Sequence, residues 1–155
     1  MATVKLRVRY AETDQMGIAH HSAYVVWLEA ARIEWLRNNG LNYRLLEADG
    51  ILLPVHRLTI EYRSSARFDD LLETEARLTS AQSRRLRFDY RLLRRTGIEN
   101  RDEDRSQSRH RGAGETTLLA SATTFHTPTD HHGRAVRMPG TWLEKLRKHL
   151  DEGES

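Results

Sequence analysis

The stretch "YAETDQMGIAHHSAYVVWLEAARIEWLR", residues 10–37, changes its pattern midway. Its first half is polar and holds a glycine and a pair of histidines, as expected of a loop. Its second half has apolar residues at spacings of three and four, which is typical of a helix with one broad apolar face. The pattern predicts a helix over roughly residues 22–38, with Ser22 as its N-cap and Gly40 just beyond its end. The predicted apolar face consists of Tyr24, Trp27, Leu28, Ala31, Trp35 and Leu36.

Runs with alternating apolar residues surround this helix and predict strands, because the two faces of a strand alternate residue by residue. A short amphipathic helix is predicted at 141–150. We therefore predict an α+β fold in which an antiparallel sheet wraps around one long helix, with the later strands in meander order. The predicted strands are "VKLRVRY" (4–10), "GILLPVHRLTIEYRSSARF" (50–68), "LLETEARLTSA" (71–81), "RLRFDYRLLRR" (85–95) and "ETTLLASATTFHTPT" (115–129).

The chain has 155 residues, which suits one domain with a proper core, predicted here over 1–150 with a tail at 151–155. Between two predicted strands, residues 97–114 are almost entirely charged, polar or glycine. Such a composition buries too little apolar surface to offset the entropy of ordering. We expect a mobile loop inserted at 97–114.

Composition narrows the classes of function. The absence of cysteine excludes disulfides and thiolate metal sites. Apolar runs stay far short of the ~18 residues of a membrane span, and the first ten residues lack the apolar core of a signal peptide, so we expect a cytoplasmic protein. The 25 basic residues are interleaved with 22 acidic ones for a net charge of +3, which argues against a nucleic-acid partner.

The opening stretch resembles the signature of hotdog-fold acyl-CoA thioesterases of the 4-hydroxybenzoyl-CoA thioesterase-like family. Two further stretches resemble the same family in the same order: "YRSSARFDDLLETEARL" (62–78), and "TDHHGRAVRMP" (129–139) before the last helix. The resemblance covers about residues 4–142 and implies a hotdog fold and hydrolysis of an acyl-CoA thioester. The signature elements are Tyr10, Thr13, Asp14, Gly17, His21, Tyr24 and Arg32.

The resemblance implies that Asp14 is the catalytic acid, either as a nucleophile or as the base that activates water. Elementary chemistry agrees, because a helix N-terminus offers free N–H groups and the positive end of a dipole to a developing oxyanion. We expect the backbone N–H of His21 to be that donor, and Gly17 to allow close approach of the backbone. The plain alternative is that Asp14 is only a turn residue. Glu12 is two residues away but lacks the motif position.

By the same resemblance, Tyr24 contacts the substrate and basic residues at two places hold the phosphates of coenzyme A. A cluster of arginines on one rim suits phosphate geometry, although each of them also suits an exposed strand end. Coenzyme A belongs to the substrate, so we expect no separate cofactor. The candidate phosphate-binding residues are Arg84, Arg85, Arg87 and Arg134, with Arg137 as a further candidate.

Three other expectations complete the sequence-based view. The paired histidines at 20–21 and 131–132 lack a completing carboxylate spacing, so we expect no metal site. An unpaired sheet edge favours a homo-oligomer, a dimer or a tetramer, as the family implies. A thioesterase acting on acyl carrier protein and a non-catalytic acyl-CoA-binding hotdog module remain open as alternatives.

Overall fold

The structure, a computed structural model, describes residues 1–96 and 115–150. The predicted loop at 97–114 and the predicted tail at 151–155 lie outside the described residues. Within them the chain forms one antiparallel five-stranded sheet and three α-helices. The strands are β1 (Ala2–Arg7), β2 (Val55–Tyr62), β3 (Leu71–Gln82), β4 (Arg85–Arg95) and β5 (Thr116–His126), and the helices are α1 (His21–Asn38), α2 (Tyr43–Ala48) and α3 (Gly140–Arg147).

The order of strands across the sheet is β1-β3-β4-β5-β2. The predicted meander holds for β3, β4 and β5, which pair in sequence, but it is wrong for β2. That strand lies at the far edge against β5, with Leu58 opposite Thr124. Strand β1 occupies the place beside β3 that a simple meander would give to β2, with Ala2 opposite Ala76. The chain therefore crosses the sheet between β2 and β3, and β2 becomes an edge strand.

Helix α1 covers the inner face of the sheet, as predicted. All six residues of the predicted apolar face are buried, and Trp35 meets Phe88 of β4 edge to face with ring centroids 5.4 Å apart. Along β4 the residues alternate, with Phe88 and Tyr90 buried towards the helix and Arg87 and Arg91 exposed on the other side. This alternation fixes which side chains share the space between helix and sheet.

The two ends of α1 are capped by different hydrogen bonds. The N-cap is His20, not the predicted Ser22, since the His20 ring accepts a hydrogen bond from the Ser22 N–H at 3.2 Å. At the other end Gly40 has φ +68 and its N–H donates to the Arg37 carbonyl at 3.1 Å, while the Leu41 N–H donates to the Leu36 carbonyl at 2.8 Å. These two hydrogen bonds form a Schellman motif, which confirms the prediction that the helix ends at Gly40.

The remaining helices close one side of the core. Helix α2, which the sequence pattern did not predict, places Leu46 in the core, and α3 adds Trp142 and Leu146. The Trp142 indole donates to the Asp49 carboxylate at 2.8 Å just after α2, so the two helices are fastened together. The edge of the sheet formed by β2 is much more exposed to solvent.

Candidate active site

Asp14 lies in a tight hairpin turn just before α1. Thr13 and Ala19 form a bridge, the Asp14 N–H donates to the Ile18 carbonyl at 3.0 Å, and the Gly17 N–H donates to the Asp14 carbonyl at 2.9 Å. One carboxylate oxygen of Asp14, Oδ1, accepts from the Met16 N–H at 2.8 Å. Aspartate at the first position of a turn commonly binds the backbone two residues on in this way. The carboxylate is thereby held in one orientation while remaining half-exposed.

Gly17 has a backbone conformation that favours glycine. Its φ is +72, in the left-handed region that side chains with a Cβ rarely adopt, and it ends the turn that orients Asp14. A Cβ placed on Gly17 would meet no atom within 4 Å. The positive φ accounts for a glycine at this position. Close approach of the Gly17 backbone to a substrate stays a prediction.

The first N–H groups of α1 are only partly satisfied. The His20 ring accepts from the Ser22 N–H, and the Ala23 N–H donates to the His20 carbonyl at 3.0 Å. Within residues 1–96 and 115–150, the N–H of His21 has no hydrogen-bond acceptor. That free donor stands at the positive end of an 18-residue helix, a suitable place for a developing negative charge.

Asp14, His21 and Tyr24 all line one open cavity of about 320 Å³. The Tyr24 ring packs edge to face against Tyr62, with centroids 5.0 Å apart, and its hydroxyl oxygen accepts from the Ala66 N–H at 3.4 Å. Burial raises the pKa of Tyr24, so this hydroxyl stays protonated at neutral pH. The cavity therefore joins an acid, a free helix N–H and a neutral tyrosine.

Glu12 is the other acid near this turn, and its surroundings are quite different. It accepts hydrogen bonds from the Arg9 N–H at 2.8 Å, the Arg9 guanidinium at 3.0 Å and the Trp27 indole at 3.1 Å. Burial acts to raise its pKa, but these donors outweigh burial and the pKa of Glu12 is lowered. Glu12 thus links the turn to α1 through its hydrogen bonds, while Asp14 lines the cavity and its Oδ1 accepts from the Met16 N–H.

The cavity also contains residues that sequence reasoning missed. Arg63, Ser64 and Ser65 line it from the loop that follows β2. A hydrogen bond from the Ala19 N–H to the Ala66 carbonyl, at 2.8 Å, fastens this loop to the Asp14 turn. The available signal was the "RSSA" run directly after a strand, since polar residues at a strand end commonly line sites.

The arginines predicted to bind phosphate lie away from the Asp14 cavity. Arg84 is exposed in the β3–β4 turn, Arg85 begins β4, and Arg87 pairs with Asp89 at 3.0 Å. Arg134 is exposed, and the Met138 N–H donates to the Ser83 carbonyl at 2.6 Å, which draws the closing segment to the same end of the sheet.

These arginines and the Asp14 cavity are at opposite ends of the sheet. Tyr62 in the cavity pairs with Ala120, which pairs with Leu92 of β4. Leu92 is five residues from Arg87, a distance of roughly 17 Å along a strand. One protomer therefore places Arg84, Arg85 and Arg87 together at one end of β4 and does not bring them to Asp14.

The sequence predicts that the protein has neither a metal site nor a membrane-spanning helix. In the described part of the chain, no group of three His, Cys, Asp or Glu side chains is placed to hold a metal ion. Among the helices of that same part, none is both long and apolar enough to cross a membrane. The expectation of a metal-free site stays a prediction.

A model of the family described as the thioesterase-like superfamily matches residues 8–148. The chain belongs to this superfamily. The resemblance noted in the sequence is confirmed, and so is the hotdog fold, with its antiparallel sheet around one long helix.

Two curated relatives illustrate the similarity. The acyl-CoA thioester hydrolase YbgC of Escherichia coli O6:H1 is 36% identical over 88 residues, which are 57% of this chain and 66% of YbgC. The chain thus matches just under two thirds of the length of that relative. A putative esterase of Aquifex aeolicus is 33% identical over 141 residues, covering 91% of this chain and 94% of the esterase.

Solved structures agree with the fold. A hypothetical protein of Thermus thermophilus, TT1821, superposes with a TM-score of 0.77 at 37% identity, covering 96% of this chain and 99% of its own. A 4-hydroxybenzoyl CoA thioesterase mutant complexed with 4-hydroxybenzoyl CoA superposes with a TM-score of 0.76 at 20% identity, covering 93% of this chain and 96% of its own. At that identity the second similarity concerns the fold alone.

Proposed function

We propose that this protein hydrolyses acyl-CoA thioesters to a free acid and coenzyme A, with Asp14 as nucleophile or general base. The observation that carries the proposal is the shared cavity, which is lined both by Asp14, whose carboxylate is oriented by the Met16 N–H, and by His21, the first residue of α1. The names of relatives such as YbgC, an acyl-CoA thioester hydrolase, support the same reaction. The cytoplasmic location and the lack of a separate cofactor remain predictions.

The chemistry requires attack on the thioester carbonyl and departure of the thiolate. The carboxylate of Asp14 either adds to the carbonyl carbon or removes a proton from a water that adds to it. In both routes the carbonyl oxygen gains negative charge, which the N–H of His21 stabilises at the helix N-terminus. The C–S bond then breaks, and the sulfur leaves with the electron pair and takes up a proton. If Asp14 is the nucleophile, water then hydrolyses the mixed anhydride on Asp14, which releases the acid and restores the carboxylate.

The second copy of the chain belongs to the same proposal. In the described part of the chain, β2 has a strand beside it on one edge and none on the other. Val55 and Tyr62 on that strand are 44% and 51% exposed. Pairing of two β2 strands from different protomers would cover these two side chains. It would remove an unpaired edge that invites aggregation. It would also carry the arginines of one protomer towards the neighbour, so we propose a homodimer or a larger assembly of dimers.

A panel of acyl-CoA thioesters, assayed by release of free thiol, tests the proposal. Wild type should turn over at least one member, and Asp14→Asn should be slower by about 100-fold or more, because a lost nucleophile or base costs several kcal/mol. Thermal unfolding should be nearly unchanged, since the amide oxygen can still accept from the Met16 N–H. An Asn variant that retains more than about a tenth of the activity would show that Asp14 is only a turn residue.

The same panel addresses the alternatives. Tight binding of acyl-CoA without release of thiol would indicate a non-catalytic binding module. Faster hydrolysis of the same acyl group on acyl carrier protein would indicate the other carrier, whose acidic surface suits the exposed arginines.

A further inference from the structure

Arg32 is a charged residue within the apolar face of α1. Its side chain lies among the core residues that flank it, and the residue is only 8% exposed. Across residues 1–96 and 115–150, no carboxylate lies within 4.0 Å of its guanidinium. A buried charge without a counter-ion is costly, so some other group must compensate it.

The neighbouring polar side chains form a hydrogen-bonded chain between the helix and the sheet. The Tyr90 hydroxyl and Thr124 Oγ1 are 2.9 Å apart, and Thr124 Oγ1 is 2.8 Å from Nε2 of His126. Nδ1 of His126 is 3.2 Å from the Leu53 carbonyl. Burial and the charge of Arg32 lower the pKa of His126 to about 4, so its ring is neutral at pH 7.

The chemistry of the groups decides which of them donates in each of these hydrogen bonds. A carbonyl can only accept, so Nδ1–H of His126 donates to Leu53 and Nε2 must be an acceptor. The Thr124 hydroxyl therefore donates to His126, and the Tyr90 hydroxyl donates to Thr124. Each of these three groups has used its one proton. The Tyr90 oxygen can in turn accept one N–H from Arg32, which still keeps several of its five donors.

A cavity of about 130 Å³ opens directly beside this cluster. Its walls are mostly aliphatic, while Arg32 and Thr124 supply its polar part. Glu29 also lines it but is exposed and lies beyond ion-pair distance of Arg32. The spare donors in this cavity are thus cationic N–H groups, a combination that suits a carboxylate. The aliphatic lining residues are Val25, Leu28, Val55 and Leu58.

This cavity and the Asp14 cavity have no lining residue in common, but residues of α1 and β2 line both, and the strip between these two elements is termed the groove. On α1, His21 lines the first cavity, Val25 and Leu28 line the second, and Arg32 ends the row, with spacings of three and four residues. On β2, Tyr62 lines the first cavity and Leu58 the second. Both rows place the two cavities side by side in the same order.

Two independent lengths give the span of the groove. From His21 to Arg32 the helix rises by roughly 16 Å, and from Tyr62 to Leu58 the strand advances by roughly 13 Å. Long side chains on a helix lean back towards its N-terminus, and a lean of about 6 Å would leave the Arg32 guanidinium roughly 10 Å along the helix from the His21 N–H. A zigzag chain advancing ~1.3 Å per carbon covers that distance with about six to eight carbons.

We propose that Arg32 is a specificity-determining residue that binds a carboxylate at the far end of the acyl chain, so that the preferred substrates are ω-carboxyacyl thioesters of about six to eight carbons. This inference rests on the proposed thioesterase function and adds the class of acyl group. The aliphatic walls hold the methylenes, and the guanidinium recognises the distal anion.

The test compares acyl groups of equal length on coenzyme A: hexanoyl with adipyl, and octanoyl with suberyl and 8-hydroxyoctanoyl. Wild type should favour each ω-carboxy substrate over its plain counterpart by about 10- to 100-fold in kcat/KM, as expected for a charge-assisted hydrogen bond. Arg32→Met should abolish or reverse this preference, and Arg32→Lys should keep part of it. Arg37→Met, on the same helix but exposed, is the matched control and should leave the preference unchanged.

Several results would overturn the inference. Equal or faster hydrolysis of the plain chains, or of the hydroxyl-ended chain, would mean that no anion is recognised. Unchanged preference in a folded Arg32→Met variant would remove Arg32 from recognition, and dissociation into monomers would assign it to assembly.

Binding of free diacids separates this inference from the reaction. Suberate should raise the melting temperature of wild type more than octanoate does, whether or not the protein hydrolyses any thioester and whether or not Arg32→Met folds. If thioesters are hydrolysed but octanoate stabilises as well as suberate, the inference fails while the proposed function stands. If suberate stabilises and nothing is hydrolysed, the carboxylate site stands and the proposed function fails.

Discussion

The two ends of the groove along α1 are built on opposite principles. At the Asp14 end a short turn and a helix terminus place Asp14 and His21 on the wall of an open cavity. At the Arg32 end the polar groups are buried and, apart from the guanidinium, their protons are all engaged. The difference suggests that the open end performs chemistry and the closed end fixes shape and recognition. Changes at the two ends should therefore affect different measurements.

The largest expected effect on stability comes from acid at the closed end. His126 has a pKa of about 4 in the folded chain against 6.5 for an ordinary histidine, with Arg32 and His56 as its charged or titratable neighbours. Below about pH 6.5 His126 is protonated in the unfolded chain but stays neutral in the folded chain. The free energy of unfolding therefore falls as the pH drops below that value. The loss from this one group should be about 2 kcal/mol between pH 7 and pH 5, and about 3 kcal/mol by pH 4.

Urea unfolding at several pH values measures this loss. The variant His126→Asn lacks the titrating ring, so its stability should be lower at pH 7 but should change much less between pH 7 and pH 5. If wild type and variant lose stability in parallel over that range, His126 does not carry the acid sensitivity.

A smaller effect is expected where the open end is braced. Glu12→Gln removes the charge that receives hydrogen bonds from Arg9 and Trp27, and should lower the free energy of unfolding by about 2 kcal/mol. Turnover per folded molecule should change by less than about threefold, since Glu12 is not on the cavity wall. Chemical denaturation and thiol release at saturating substrate measure the two quantities. A loss of turnover as large as that of Asp14→Asn would make Glu12 part of the chemistry and erase the contrast between the two acids.

The smallest effect concerns the arginines outside the groove. Changing Arg84, Arg85 and Arg134 singly to Gln should raise KM for a CoA thioester by only about two- to fivefold, because exposed charge contacts contribute little. The effect should shrink with added salt, and the corresponding N-acetylcysteamine thioester should be spared because it carries no phosphate. Equal loss on both substrates would remove these residues from coenzyme A binding.

Much of the fold was predictable because its elements are long and periodic. The apolar spacing located α1 to within about one residue, and alternation located β4 at residues 85–95 as observed. Helix α2, with six residues, is too short to show a period. The His20 cap was missed because histidine is not among the usual capping residues. The position of β2 depends on contacts far apart in sequence, so no local pattern could give it.

The site was predictable in part for similar reasons. Asp14 and His21 lie in one local motif, and the structure places both on the cavity. Arg63 and the two serines after it reach that cavity only through the Ala19–Ala66 hydrogen bond, which joins distant segments. The Arg32 cluster left a readable sign, a charge within an otherwise apolar helix face, but its partners on β4 and β5 appear only in the folded sheet.

The pairing of β1 with β3 has a consequence for how the molecule assembles. Ala2 and Ala76 face each other although more than seventy residues separate them, so β1 cannot pair until β3 has been synthesised. The hairpin of β3 and β4 has nearby partners and closes at lower entropic cost. We therefore expect that hairpin to form early, α1 to dock on it with its two tryptophans, and β1 to join late. Before α1 docks on the hairpin, its apolar face has no cover, and the partly folded chain is exposed to aggregation.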